Sequence, residues 1–385
     1  MAIREFFHTT KVLSGPGCVR QTGDEAVRLG ASKVLIITDG FLASSEIYIK
    51  VTKSLDDADI AYITYNKVRP NPRATDCDNT CKLAKEEGVD LIIGLGGGSC
   101  MDQAKTTAAL VTNGGKCVEW DYVELPHKML PTICIPTTAG TGSEVTFCAV
   151  ITDEEKKYKM SVIDVYNLCP NVAIADPELL LSLPPLLTAS TGVDALTHAI
   201  EAYTYQVSQP ISDALALHAI ELIAQSLVDA VENGSSLEAR TNMLNASLMA
   251  GAAFINSNVG AVHAISETIG AWYDTPHGIG NSIFLPYIME YNISACPERF
   301  ATIAVRLGID PNGKTTEELA QAAVEYVKEL NSKIKIPKLK ELEYIKEENF
   351  QAIAQHSADN PLSDDNARPI DKDGYMEIIL KAYEA

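Results

Sequence analysis

Asp194 and His198 stand four residues apart in the apolar, Ala-rich run Gly192-Val-Asp194-Ala-Leu-Thr-His198-Ala. On a helix they share one face, one turn apart, which is the geometry by which a helix offers two donors to one metal. His263 and His277 add two imidazoles further along. One carboxylate with three imidazoles suits Fe²⁺, Zn²⁺, Co²⁺ or Mn²⁺ rather than a hard cation such as Ca²⁺. The same Asp and His also read as an ordinary hydrogen-bonded helix pair, and the residues alone leave both readings open. Four of the seven histidines fall between Asp194 and His277, and three of them, His198, His263 and His277, are the candidate donors among small and apolar neighbours. Burying such groups uncompensated is costly, so shared ligation is the economical account.

A second chemistry is suggested by Gly94-Leu-Gly96-Gly-Gly-Ser99-Cys-Met-Asp102-Gln-Ala-Lys105, which joins an apolar strand pattern to a helical one. Three consecutive glycines let the backbone come close to a ligand, and the helix start behind them presents free N–H groups and positive dipole. That suits a pyrophosphate. The spacing is neither the common dinucleotide fingerprint nor a P-loop, and a tight turn capped by Ser99 is the plain alternative. Asp39, closing an earlier strand, reads either as a carboxylate for ribose hydroxyls that repels a 2′-phosphate or as a simple Asp-Gly turn. Pro136-Thr-Thr138-Ala-Gly-Thr141-Gly-Ser-Glu144 reads as a cofactor-packing loop or as a capping loop. Lys159, in a run of Glu and Lys, reads as solvated surface.

The elements that must carry these residues follow from hydrophobic period. Continuous apolar runs at 33–38, 60–65, 91–95, 131–135 and 171–176 alternate with helical patterns ending near 56, 88 and 111. Such alternation implies a parallel sheet covered by helices on both faces. Beyond Leu183-Pro184-Pro185 the pattern becomes helical at 187–205, 210–232, 236–256, 260–272, 297–306, 315–332 and 346–357, with no convincing strand. An ordered loop over 359–373 precedes one last helix. The expected organisation is an α/β dinucleotide-binding domain over 1–185 and an all-helical metal-binding domain over 186–385.

With 385 residues, 46% apolar and 21% charged, the chain has room for two cores. A net charge of −20 argues against nucleic acid or an anionic membrane as partner. No signal peptide and no apolar run of membrane-spanning length are read. Nine cysteines, an odd number, fit reduced thiols in a cytoplasm. Cys77 and Cys81 read as helix residues, because no second close pair exists to complete a metal site.

Taken in order, Gly96-Gly-Gly-Ser99-x-x-Asp102-x-x-Lys105, Pro136 to Glu144, Gly192-x-Asp194-Ala-Leu-Thr-His198-Ala-x-Glu201, Val262-His263 and Pro276-His277-Gly278 closely resemble the iron-dependent (group III) alcohol dehydrogenases. The resemblance spans essentially the whole chain. It implies a metal-dependent oxidoreductase that moves hydride between NAD(H) and a short-chain alcohol or aldehyde, cytoplasmic and homo-oligomeric. Asp194, His198, His263 and His277 would hold one Fe²⁺, with Zn²⁺ the alternative metal. Gly97, Gly98, Ser99 and Asp102 would hold the cofactor pyrophosphate. Asp39 would select NAD over NADP, and Asn71 would lie beside the adenosine half. Thr137, Thr138, Thr141, Thr146 and Lys159 would contact the nucleotide, as would Leu179.

Two departures bear on substrate. The family usually carries another His four residues after the third ligand, where this chain has Glu267, expected to act in catalysis or line the substrate pocket. The usual Asn-Pro-Arg run is here Asn360-Pro-Leu, with Arg368 further on. A reductase for a small anionic aldehyde such as sulfoacetaldehyde, or a diol or lactaldehyde dehydrogenase, is the alternative within the class. A lyase of dehydroquinate-synthase type wants a carboxylate with two His, and the third His argues against it. A non-catalytic relative would have lost a ligand, and none is lost.

Overall fold

The computed structural model describes residues 3–364 and 366–385. The chain divides into two compact units, one comprising Phe7–Thr138 and Gly142–Ser182, the other containing Ala139–Thr141 and Leu183–Ala385. The short segment Ala139–Thr141 thus groups with the helical residues and not with the sheet region that encloses it in sequence.

In the first unit six parallel strands lie in the order β1 (Lys11–Ser14), β8 (Val172–Ala175), β5 (Thr132–Pro136), β4 (Leu91–Gly96), β2 (Lys33–Ile37) and β3 (Ala61–Tyr65). The central strands are buried along their length, as their unbroken apolar runs require. Helices α1 (Thr22–Arg28), α2 (Glu46–Asp57), α3 (Ala74–Glu86) and α4 (Gly98–Asn113) make the crossovers. From β2 the chain continues outward to β3, whereas from β4 it continues to β5 on the other side. The β2–β4 pair is therefore the topological switch point, where open α/β sheets bind ligands beyond the carboxyl ends of their strands. Asp39 follows β2 and the three glycines close β4, and Ile37 pairs with Gly94 between them.

Two strands were not expected from the sequence. Cys148–Asp153 (β6) and Tyr158–Ile163 (β7) pair as an antiparallel hairpin. The charged run at Glu154–Lys157 is its turn, fastened by the Asp153 carboxylate, which accepts from the backbone N–H groups of Glu155 and Lys156. The edge strand β1 was also unread.

The helical unit contains α5 (Pro185–Thr204), α6 (Pro210–Glu232), α7 (Leu237–Phe254), α8 (Ala261–Tyr273), α9 (His277–Asn292), α10 (Pro297–Arg306), α11 (Thr316–Lys333), α12 (Phe350–Ala358) and α13 (Lys372–Glu384). No strand occurs among its described residues. Helix α6 corrects one expectation, since by length and composition it is long and apolar enough to cross a membrane. Asp213, Glu221 and Asp229 interrupted that run in the sequence. The helix packs against α5 and α7.

Helix α9 was missed altogether, because Gly278, Gly280 and Pro286 look like breakers. The glycines instead permit close approach: a Cβ on Gly278 would lie 2.6 Å from the Ser190 carbonyl of α5, and one on Gly280 2.5 Å from Ser266 Oγ of α8. Pro286 has no N–H for the carbonyl of Ser282 one turn earlier. Asn331 of α11 supplies the missing donor, its Nδ2 reaching Ser282 O at 2.6 Å.

Candidate functional site

Helix α5 places Asp194 and His198 on one face, as the four-residue spacing dictates. The first turn of α8 places His263, and α9 begins at His277. One donor atom from each of the four lies within 4.8 Å of every other. His198 and His263 approach Nε2 to Nε2 at 3.0 Å, and His277 Nε2 lies 3.7 Å from Asp194 Oδ1. Asp194, His198 and His263 are buried, whereas the His277 side chain is 27% exposed.

Two residues that the sequence reading did not assign complete the cluster. Glu201, on the same face of α5, accepts a 2.5 Å hydrogen bond from His263 Nδ1 and another from the backbone N–H of Val262 at 2.8 Å. Asn281, one turn after His277 in α9, donates from Nδ2 to Asp194 Oδ1 at 2.6 Å, with His263 Nε2 at 3.1 Å and His277 Nε2 at 3.2 Å. Their helical spacing from known candidates (seven past Asp194, four past His277) was the available signal.

The charge states follow from burial and neighbours. Burial, helped by the adjacent His263, holds His198 well below the ordinary histidine value and keeps it neutral. Burial pushes His263 the same way, but the Glu201 carboxylate outweighs it and the net shift is upward. Because His263 Nδ1 donates to Glu201, the lone pair of the neutral ring faces inward from Nε2. A carboxylate and imidazole lone pairs therefore converge on the one point that the Asn281 amide N–H reaches. That arrangement of electron pairs fits a divalent transition metal, whose ligating histidines characteristically carry such an outer carboxylate.

In the sheet unit the glycine turn is built as a ligand-approaching backbone. Gly96 takes a φ of 147°, and a Cβ there would strike Cys100 Sγ at 2.6 Å. Helix α4 opens at Gly97 without a side-chain cap, so the first N–H groups at Gly98 and Ser99 have no intrahelical acceptor. Thr138 packs beside Gly97, and the Thr137 N–H bonds to Gly96 O at 3.0 Å. Asp39 Oδ1 accepts from the N–H groups of Phe41 and Leu42 at 2.8 and 2.9 Å.

Lys159 overturns the surface reading of its charge run. It is buried, and its Nζ donates to Oδ1 of the equally buried Asn71 at 2.8 Å. Asn71 itself has a positive φ of 52°. Asp102 is committed to the protein: Oδ1 accepts from Ser143 Oγ at 2.6 Å and lies 3.2 Å from Lys105 Nζ, while Oδ2 accepts from Val150 N at 3.1 Å. Lys105 is fully buried and bonds Ser143 O, Thr146 Oγ1 and Cys148 O. Asp102 and Thr146 thus brace the loop at 143–148. Leu179 is buried in the turn after β8, and Thr141 groups with the helical unit. Glu267 lies in α8 one turn past His263, is 8% exposed, and accepts from Asn360 Nδ2 at 3.1 Å.

Known proteins bear on both halves. Residues 9–177 match the family model described as iron-containing alcohol dehydrogenase, and 188–383 match the Fe-containing alcohol dehydrogenase family, C-terminal. Alcohol dehydrogenase 4 of Saccharomyces cerevisiae is 39% identical over 375 residues, 96% of each chain. NAD-dependent methanol dehydrogenase of Bacillus methanolicus is 38% identical over 378 residues, 98% of this chain and 99% of that one. A crystal structure of a 1,3-propanediol oxidoreductase superposes with a TM-score of 0.96 at 36% identity, over 99% of this chain and 100% of that chain. Two family models that together span most of the chain, with full-length relatives, leave one assignment: the chain belongs to the iron-containing alcohol dehydrogenase family.

Proposed function

We propose that this protein is an NAD(H)-linked, iron-dependent oxidoreductase that interconverts short-chain alcohols and their aldehydes. The observation that carries the reading is the convergence of Asp194, His198, His263 and His277 within 4.8 Å, three of them buried. These four residues would hold the metal, which supplies Lewis acidity toward the substrate oxygen. Iron is preferred over zinc on the family description, since the donor set accepts both. NAD(H) accepts or supplies the hydride.

The chain's own residues bind and orient. The N–H groups at Gly97, Gly98 and Ser99 receive the diphosphate, and Thr137, Thr138 and Thr141 pack against the nucleotide. Asp39, at the carboxyl end of β2, takes the ribose hydroxyls and disfavours a 2′-phosphate. Asn71 and Lys159 form one polar contact for the adenosine half, and Leu179 adds apolar surface. Asp102, Lys105 and Thr146 act indirectly by fixing the loop at 143–148. Glu267 lines the substrate side of His263. A carboxylate there makes a neutral aldehyde the better substrate than an anionic one such as sulfoacetaldehyde, and the relatives named for methanol and 1,3-propanediol support the same class.

The proposal extends to a cytoplasmic homo-oligomer, the compartment supported by nine free cysteines, seven of them buried. The test is a panel of short aldehydes with NADH, run on metal-stripped protein reloaded with Fe²⁺. Turnover of neutral C2–C4 aldehydes is expected. No NADH oxidation with any aldehyde would refute the reading.

A further inference from the structure

Glu201 is buried at 5% exposure in α5 and satisfies three donors with two oxygens. His263 Nδ1 and the Gly260 N–H reach Oε2 at 2.5 and 2.9 Å, and the Val262 N–H reaches Oε1 at 2.8 Å. Helix α8 opens at Gly260 with no side-chain cap of its own. A carboxylate from a neighbouring helix therefore does the capping, where it also meets the positive end of the α8 dipole. Gly260 leaves room for it: a Cβ there would sit 3.2 Å from Glu201 Oε1.

We infer that Glu201 is a positioning residue for the metal, fixing the His263 tautomer and ring orientation. The inference rests on the metal reading above. Nδ1–H is held by a carboxylate, so the lone pair stays on Nε2, which points at the ligand cluster. At His277 the Nδ1 atom lies 3.4 Å from the Ser266 hydroxyl. An imidazole backed by a carboxylate is more basic and loses less orientational freedom on ligation, and removing such a partner weakens metal binding by about 10- to 100-fold. The same carboxylate ties that ligand to the first turn of α8, so the ring and the helix that carries it are set together.

The test titrates Co²⁺ into metal-stripped full-length protein and follows the visible absorption of the bound ion. Glu201→Gln keeps the shape but has one acceptor oxygen for three donors. It is expected to weaken Co²⁺ binding by about 10- to 100-fold and to shift the visible band. Asn366→Ala is the control, because Asn366 Oδ1 accepts from Ala261 N at the same helix end at 3.4 Å. It should lower thermal stability while leaving Co²⁺ affinity and spectrum unchanged. Equal weakening by both variants, or wild-type affinity and spectrum in Glu201→Gln, overturns the inference. Should Glu201→Gln fail to fold, ¹⁵N spectra of the stripped wild type decide: Nδ1–H on His263 is expected, and an Nε2–H tautomer contradicts it. A wild type that binds no Co²⁺ overturns the metal reading itself, whereas a wild type that binds beside an unaffected Glu201→Gln overturns this inference alone.

Discussion

Lys159 Nζ and Asn71 Oδ1 meet at 2.8 Å, two buried polar groups separated by 88 positions and joined through the β6–β7 hairpin. Lys159→Met leaves Asn71 Oδ1 without this charge-assisted partner. A loss of about 1–3 kcal/mol in stability is expected by denaturant titration. NADH binding, read by fluorescence, should weaken roughly tenfold, or about 1.4 kcal/mol of binding free energy. A double variant with Asn71→Ala should cost less than the two singles summed, because each removes the same bond. Additive losses, or unchanged NADH affinity in Lys159→Met, would separate the pair from the nucleotide.

Asp39→Gly tests nucleotide choice. It removes the acceptor of the Phe41 and Leu42 N–H groups, so stability should fall by about 1 kcal/mol. The ratio of kcat/KM for NADPH over NADH should rise, since the charge opposing a 2′-phosphate is gone. A wild type that already favours NADPH would remove Asp39 from the ribose.

Sequence legibility was uneven, and the reasons are physical. The Asp194, His198, His263 and His277 cluster, the glycine turn and the central strands are legible because chemistry or burial forces residue types at fixed spacing. Pattern alone puts Lys159 at the surface because a turn's charges surround it, and the pairing of β7 with β6 turns it inward. Helix α9 was missed because Gly278, Gly280 and Pro286 are explained by Ser190, Ser266 and Asn331, all distant in sequence. The contacts of Asp102 with Ser143 and Val150 are not legible, because these partners lie on a loop and a strand whose register the sequence does not state.

Glu144 gives a pH dependence. It is buried at 1% exposure, with Oε1 unpartnered among the described residues, and desolvation raises its pKa from 4.5 to about 7. A group whose folded pKa is raised contributes stability that is fully present below the unfolded pKa and is lost as pH rises through the folded one. The contribution should therefore fade between about pH 4.5 and 7, by on the order of 3 kcal/mol. Thermal melts from pH 5 to pH 8 should show a steeper fall for wild type than for Glu144→Gln. Parallel curves would mean that Glu144 titrates normally.

Glu267 sets substrate preference on this account, held against the C-terminal loop by Asn360. Glu267→His should shift the order of kcat/KM among short aldehydes while leaving NADH affinity alone. Asn360→Ala, which removes one hydrogen bond from the same carboxylate, should shift that order in part. If both variants rank the aldehydes as wild type does, Glu267 is a bystander.

The central claim is that turnover depends on the metal held by Asp194, His198, His263 and His277. Its most direct measurement is NADH-dependent aldehyde reduction before chelation, after chelation, and after reloading with Fe²⁺, with metal content determined at each stage. The stripped protein should bind NADH yet lose nearly all turnover, because several kcal/mol of transition-state stabilisation go with the Lewis acid. Fe²⁺ should restore the rate in wild type and not in Asp194→Asn. Metal-free protein that keeps its full rate would contradict the account.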